Sequence, residues 1–164
     1  MARRLPRGLT LIEIAITLAV LAILATIALP AFGDRLARQR LVATAEGLAM
    51  DLADARFQAA QTGQSLHLVF APGADWCYAV ARAPGCDCRS MQACQLKVVR
   101  ARDVPGILLA HGTDASFDAS AVAAVGGAAE LRSARGPHAL RVSLTPLGRA
   151  RLCSPSGLAG YPPC

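Results

Sequence analysis

Two hydrophobic periodicities divide this chain. From Leu9 to Phe32, 24 positions, apolar residues follow one another on all sides and Glu13 is the only charge. A helix of roughly 20 apolar residues spans a bilayer. The run is longer than the apolar core of a secretory signal and has no small-residue cleavage site at its end. It reads as a retained, membrane-inserting half-helix over 9–33. Beyond it, Leu41, Ala45, Leu48, Leu52, Ala55 and Ala59 recur at steps of four and three, which is one helical face. Arg38, Glu46, Asp51, Asp54 and Arg56 occupy the other sides. This predicts an amphipathic half-helix over 34–63, closed at Thr62-Gly63, with a kink near Pro30 and Gly33. At about 1.5 Å per residue the whole helix would be about 80 Å long. One small domain cannot bury that length, so half of it must lie in lipid or against other subunits.

The period then changes. Ser65–Phe70, Cys77–Arg82, Gln95–Ala101 and Ile107–Ala110 read as short strands between Pro and Gly turns. Residues 113–129 are small and weakly patterned, and read as a long loop with a hairpin tip at Gly126-Gly127. His138–Thr145 alternates, with Leu140, Val142 and Leu144 on one face and Arg141, Ser143 and Thr145 on the other. The tail Leu147–Cys164 holds three Pro and three Gly and reads as an ordered loop. The expected fold is α+β: an antiparallel sheet domain over 64–164, packed on the amphipathic half-helix.

Charge orients the chain. Arg3, Arg4 and Arg7 precede the apolar run, and positive flanks stay cytoplasmic, so the sheet domain should face outward. Arg35, Arg38 and Arg40, with Asp34 among them, reduce the contrast. All six cysteines follow the helix: Cys77, Cys86, Cys88, Cys94, Cys153 and Cys164. An even number in an outward-facing domain points to disulfides. Cys153–Cys164 is the favoured pair, because it ties down a Pro/Gly-rich tail. The other four lie close together, and their pairing is open.

Gly8-Leu9-Thr10-Leu11-Ile12-Glu13, followed by the apolar run, resembles the leader signal of type IV pilins and type II secretion pseudopilins. Pro30 falls where pilins commonly carry a proline. The resemblance implies that residues 1–8 are a leader, that a prepilin peptidase cuts between Gly8 and Leu9, and that the new amine of Leu9 is methylated. Most members of the family carry Phe in place of Leu9. A carboxylate inside a membrane helix is costly and usually has a partner. By resemblance, the partner of Glu13 is the free N-terminal amine of an adjacent subunit, and the pair sets assembly register. The chain would sit in the inner membrane with its sheet domain in the periplasm, then at the cell surface among other major and minor pilins.

The globular part resembles the GspH/FimT branch, which implies a two-sheet domain. The resemblance rests on Trp76-Cys77-Tyr78, Cys86-Asp87-Cys88, and the ending Gly148-Arg149-Ala150-Arg151-Leu152-Cys153…Gly160-Tyr161-Pro162-Pro163-Cys164. Within that branch, Gly148-Arg149-x-Arg151 is similar to the motif of the FimT minor pilins, which bind DNA in natural transformation.

The residues support that reading. From Leu131 to Cys164 there are five arginines (Arg132, Arg135, Arg141, Arg149 and Arg151) and neither Asp nor Glu. The planar guanidinium fork suits phosphate. In an extended chain Arg149 and Arg151 point the same way, about 7 Å apart, and Gly148 permits close backbone approach. Lys97, Arg100 and Arg102 would join the patch if their strand lies nearby. Tyr161 is the only aromatic residue in the tail. Single-strand binders stack bases on aromatics, so the expected ligand is duplex DNA held by its backbone. A competing reading makes the protein a structural GspH-like pseudopilin or FimU-like minor pilin that primes a type II secretion system or a pilus. No enzyme, cofactor or metal site is expected: Cys-x-Cys is not the usual zinc spacing, and His67, His111 and His138 have no nucleophile or carboxylate pattern beside them.

Overall fold

Thr10 starts the long helix. Its Oγ1 accepts the Glu13 N–H at 3.3 Å, and the Thr-x-x-Glu spacing is that of a capping box. The computed structural model describes residues 10–119 and 124–164. Helix α1 runs over Leu11–Thr62. Pro30 and Gly33 stand inside it and do not end it. It stops at Gly63, whose φ of 63° and N–H bond to Ala59 O at 3.0 Å make a left-handed C-terminal cap. The chain divides into two compact units, Met1–Leu36 and Ala37–Cys164.

In the first unit the apolar side chains Leu11, Ile12, Ile16, Leu21 and Ile23 are exposed. Thr17 and Thr26 donate their hydroxyls back to the carbonyls of Ile14 (2.9 Å) and Ile23 (2.7 Å). These two hydroxyls are therefore satisfied within the helix, as an apolar environment demands. Among the described residues no helix is long and apolar enough to cross a membrane. The side chains of 27 and 29–31, inside the sequence run 9–32, are not among those described.

Among its described residues the second unit holds nine strands: β1 (Leu66–Ala71), β2 (Cys77–Ala81), β3 (Gln95–Arg100), β4 (Ile107–Thr113), β5 (Ala115–Phe117), β6 (Ala124–Val125), β7 (Ala128–Ser133), β8 (Ala139–Leu144) and β9 (Ala150–Cys153). They form two antiparallel sheets, ordered β3-β2-β1-β5-β6 and β4-β7-β8-β9. Between them and the helix lies the main core. Leu41, Ala45, Leu48, Leu52, Ala55 and Ala59 are all buried, against Leu68 and Phe117 from one sheet and Leu109, Leu131, Leu140 and Val142 from the other. Each buried leucine contributes about 2 kcal/mol. Trp76 is fully buried and donates its indole N–H to Ile107 O at 2.8 Å.

Residues 113–129 depart from the loop expected there. They contain β5, β6 and the start of β7, and Gly126-Gly127 is not a hairpin tip, because β6 and β7 belong to different sheets. It is a crossing. A Cβ on Gly127 would stand 2.7 Å from Thr113 O and 2.7 Å from Ala115 Cβ, where the chain crosses in the other direction. Only glycine lets the two crossings pass. Small residues suit such strands, which is why their pattern is weak.

The outer face of the first sheet carries a small second core of Val69, Cys77, Ala79 and Cys88. The loop between β2 and β3 covers it, held by Cys77–Cys88 and Cys86–Cys94. Cys153–Cys164 closes the tail. Two contacts pin that tail to α1: Arg38 Nη2 donates to Ala159 O at 2.6 Å, and Tyr161 OH donates to Glu46 Oε1 at 2.8 Å. Burial, then the Glu46 carboxylate, pushes the Tyr161 phenol above its ordinary value. A buried polar group ties α1 to the first sheet as well. Asp51 accepts from Tyr78 OH at 3.0 Å and from Lys97 Nζ at 2.5 Å. Burial foremost, and then Asp51, drives the Tyr78 phenol well up.

Candidate nucleic-acid interface

The hairpin between β8 and β9 positions Arg149. Its loop is Pro146-Leu147-Gly148, closed by Gly148 N–H to Thr145 O (2.8 Å) and Thr145 N–H to Arg149 O (2.9 Å). Gly148 takes φ 69°, as a three-residue hairpin with an αL residue requires. It is buried, and a Cβ there would lie 3.1 Å from Arg56 Cδ and Nε of α1. The close approach that Gly148 allows is thus to the Arg56 side chain.

The tail, read from the sequence as a loop, contains β9. Leu144 pairs with Ala150, Ser143 with Arg151, Val142 with Leu152 and Arg141 with Cys153. Ala150 and Leu152 face the core, so Arg151, and Arg149 two residues before it, lie on the outer face. Both are exposed. Among the described residues their side chains have no ion-pair or hydrogen-bond partner.

The other arginines fare differently. Arg132 and Arg141 share the outer face with Arg151, but Glu130 stands between them. Glu130 is buried, 2.7 Å from Arg132 Nη2 and 3.0 Å from Arg141 Nη2. Burial acts to raise the Glu130 pKa, but the hydrogen bonds and charges of the two arginines outweigh it and hold the carboxyl below its usual range. The triad therefore presents one net positive charge, not two. Glu130 lies one residue before the acid-free stretch, where counting charges along the tail cannot see it. Alternation from Leu131 outward was the available signal, since it places Glu130 and Arg132 on one face. Arg135 sits in the β7–β8 turn, where its N–H donates to Ser133 Oγ at 3.2 Å. That turn and the Arg149 hairpin flank opposite ends of β8, about 20 Å apart along six residues. Lys97 is engaged by Asp51. Arg100 and Arg102 line a cleft with Asp75 and Arg89, and neither lines the groove beside Arg149.

Beside the hairpin, α1 forms one wall of an open groove of about 930 Å³. Met50, Ala53, Arg56 and Phe57 line it from the helix, Leu147 and Arg149 from the hairpin. Met50, Phe57 and Leu147 are more than half exposed. The sequence reading missed Phe57 and Arg56 because they lie some 90 residues before the motif.

At the N-terminus Gly8 and Leu9 lie outside the described residues. Glu13 stands in the first turn of α1, where the helix dipole favours a negative charge. No group of His, Cys, Asp or Glu among the described residues is placed to hold a metal ion, and no cysteine is free.

Comparison with known proteins bears on both ends of this architecture. Residues 3–29 match the prokaryotic N-terminal methylation motif. No curated protein sequence matches the chain. Among solved structures it resembles the type IV minor pilin FimU of Pseudomonas aeruginosa in two crystal forms. One superposes with a TM-score of 0.53 at 17% identity, covering 70% of this chain and 89% of that one. The other gives 0.50 at 16% identity, covering 68% and 91%. The chain therefore combines an N-terminal methylation motif with a type IV pilin fold, a long helix packed on antiparallel sheets.

Proposed function

We propose that this chain is a minor subunit of a type IV pilus that holds DNA through Arg149 and Arg151. The N-terminal part supplies processing and assembly. A prepilin peptidase removes residues 1–8, Leu9 becomes the methylated N-terminus, and the apolar half-helix rests in the inner membrane until the subunit joins other pilins. Glu13 then meets the terminal amine of a neighbour. The observation that carries the DNA reading is the exposed pair Arg149 and Arg151, whose side chains have no partner among the described residues, beside two arginines that share the one carboxylate of Glu130. Two guanidinium forks about 7 Å apart can grip neighbouring phosphates without reading sequence. Gly148 serves this by setting the hairpin. Arg141 and Arg132 add a weaker field, and Arg135 little.

The test is binding of labelled duplex DNA by the full chain in detergent micelles, across a salt series. Arg149→Gln with Arg151→Gln should remove most of the affinity while the circular dichroism spectrum stays unchanged. Undiminished binding would falsify the role given to the pair.

The likeness to FimU favours a second reading, in which the chain is a structural member of a pilus or secretion priming complex. In that case the double variant would assemble normally and DNA would not bind even the unaltered protein.

A further inference from the structure

We propose that the groove between α1 and the β8–β9 hairpin receives an unpaired nucleobase, with Phe57 as its stacking platform. The proposal rests on the DNA reading and extends it from phosphate to base. A nucleotide has two chemistries, an anionic phosphate and a flat, weakly polar ring. This site offers a surface for each. Arg149 and Arg56 both line the groove, and Arg56 lies along Gly148. Phe57, 62% exposed, faces the same space with Met50 and Leu147. An aromatic ring left this open on a helix contributes little to the core, and an apolar surface laid against it recovers its cost in water, a flat ring covering the most of its face. Ala53 and Gly148, which carry little or no side chain, line the groove as well.

Bases in a closed duplex are stacked on one another and cannot enter. Single strands and duplex ends with overhangs can. The arginine pair would bind any duplex by its backbone, and the groove would add affinity only where a base is free. This changes the ligand from the one expected on sequence, where Tyr161 is the only aromatic residue in the tail. Among the described residues the groove's lining includes Arg56 and Arg149 and no acidic side chain, which suits an anionic nucleotide better than an apolar peptide.

The experiment compares three labelled DNAs on the full chain in detergent micelles: a blunt duplex, the same duplex with a short overhang, and the single strand. The overhang and the single strand should bind several-fold more tightly than the blunt duplex. Phe57→Ala should weaken both about tenfold and change the blunt duplex less than twofold; Phe57→Trp should restore them. Equal affinity for all three DNAs, insensitive to Phe57, overturns the groove proposal and leaves the arginine reading standing. Absence of binding to any DNA by the unaltered protein overturns both. If Phe57→Ala spares DNA binding but abolishes cross-linking to a second pilin subunit, the groove is a subunit interface and the proposal fails.

Discussion

Arg141 on β8 and Glu130 on β7 stand directly opposite each other, with Nη2 3.0 Å from Oε2. Arg132 closes on the same carboxylate from the other side. A buried acid between two arginines lowers the positive field of the sheet face that carries Arg151. Glu130→Gln removes that charge and keeps the shape. The salt dependence of DNA binding should steepen by up to about two units as the two arginines become available to phosphate, and affinity at low salt should rise. A binding isotherm series over salt concentration checks this.

The same carboxylate makes stability depend on pH. Its pKa is depressed in the folded protein, so its contribution is present above the ordinary carboxylate range, about 4.3, and is lost as pH falls through the folded value. Thermal melts of the unaltered protein and of Glu130→Gln should differ at pH 6–7 and converge in acid. A gap that stays constant with pH would show that the ion pairs are not its source.

Arg135 provides an internal control. It is as cationic as Arg149 but sits beyond the opposite end of β8. Arg135→Gln should reduce DNA affinity less than threefold and leave the salt slope nearly unchanged. An effect equal to that of Arg149→Gln would mean that net charge, rather than the geometry of the hairpin, governs binding.

Gly148→Ala tests the hairpin itself. The left-handed φ costs an L-residue about 1–2 kcal/mol, and the new methyl would crowd Arg56. The variant should melt several degrees lower and bind DNA more weakly, because Arg149 is displaced. Gly148→Asn, which tolerates this conformation better, should recover part of both.

Asp51→Ala removes the shared partner of Tyr78 and Lys97. It should cost about 2 kcal/mol, read by chemical denaturation, without changing DNA affinity. Asp51→Asn should cost less, since it still accepts the Tyr78 hydrogen bond.

Glu13→Ala addresses assembly. Leader removal should proceed normally, while incorporation into filaments should fall sharply. Normal incorporation would remove the pairing role from Glu13.

Much of the architecture could be read from order alone. The buried face Leu41–Ala59 repeats with helical period and all six of its residues are buried, though Asp51, placed by period on the polar sides, is buried too because Tyr78 and Lys97 cover it. The strand at 139–144 announces itself by alternation, and Pro146 with Gly148 marks its turn. These are local signals, because a residue's periodic partners lie within one or two turns of it. Strands β5 to β7 escaped because small residues pack at sheet crossings and leave no hydrophobic rhythm, and β9 because Pro and Gly around it resemble a loop. The arginine motif was also visible in the sequence. Its surroundings were not, since ladder pairing brings Glu130 to Arg141, and packing of α1 brings Arg56 and Phe57 to Gly148 and Arg149. Which charges are neutralised and which surface stands beside the free ones depends on contacts between residues far apart in the chain, and only the tertiary structure decides those.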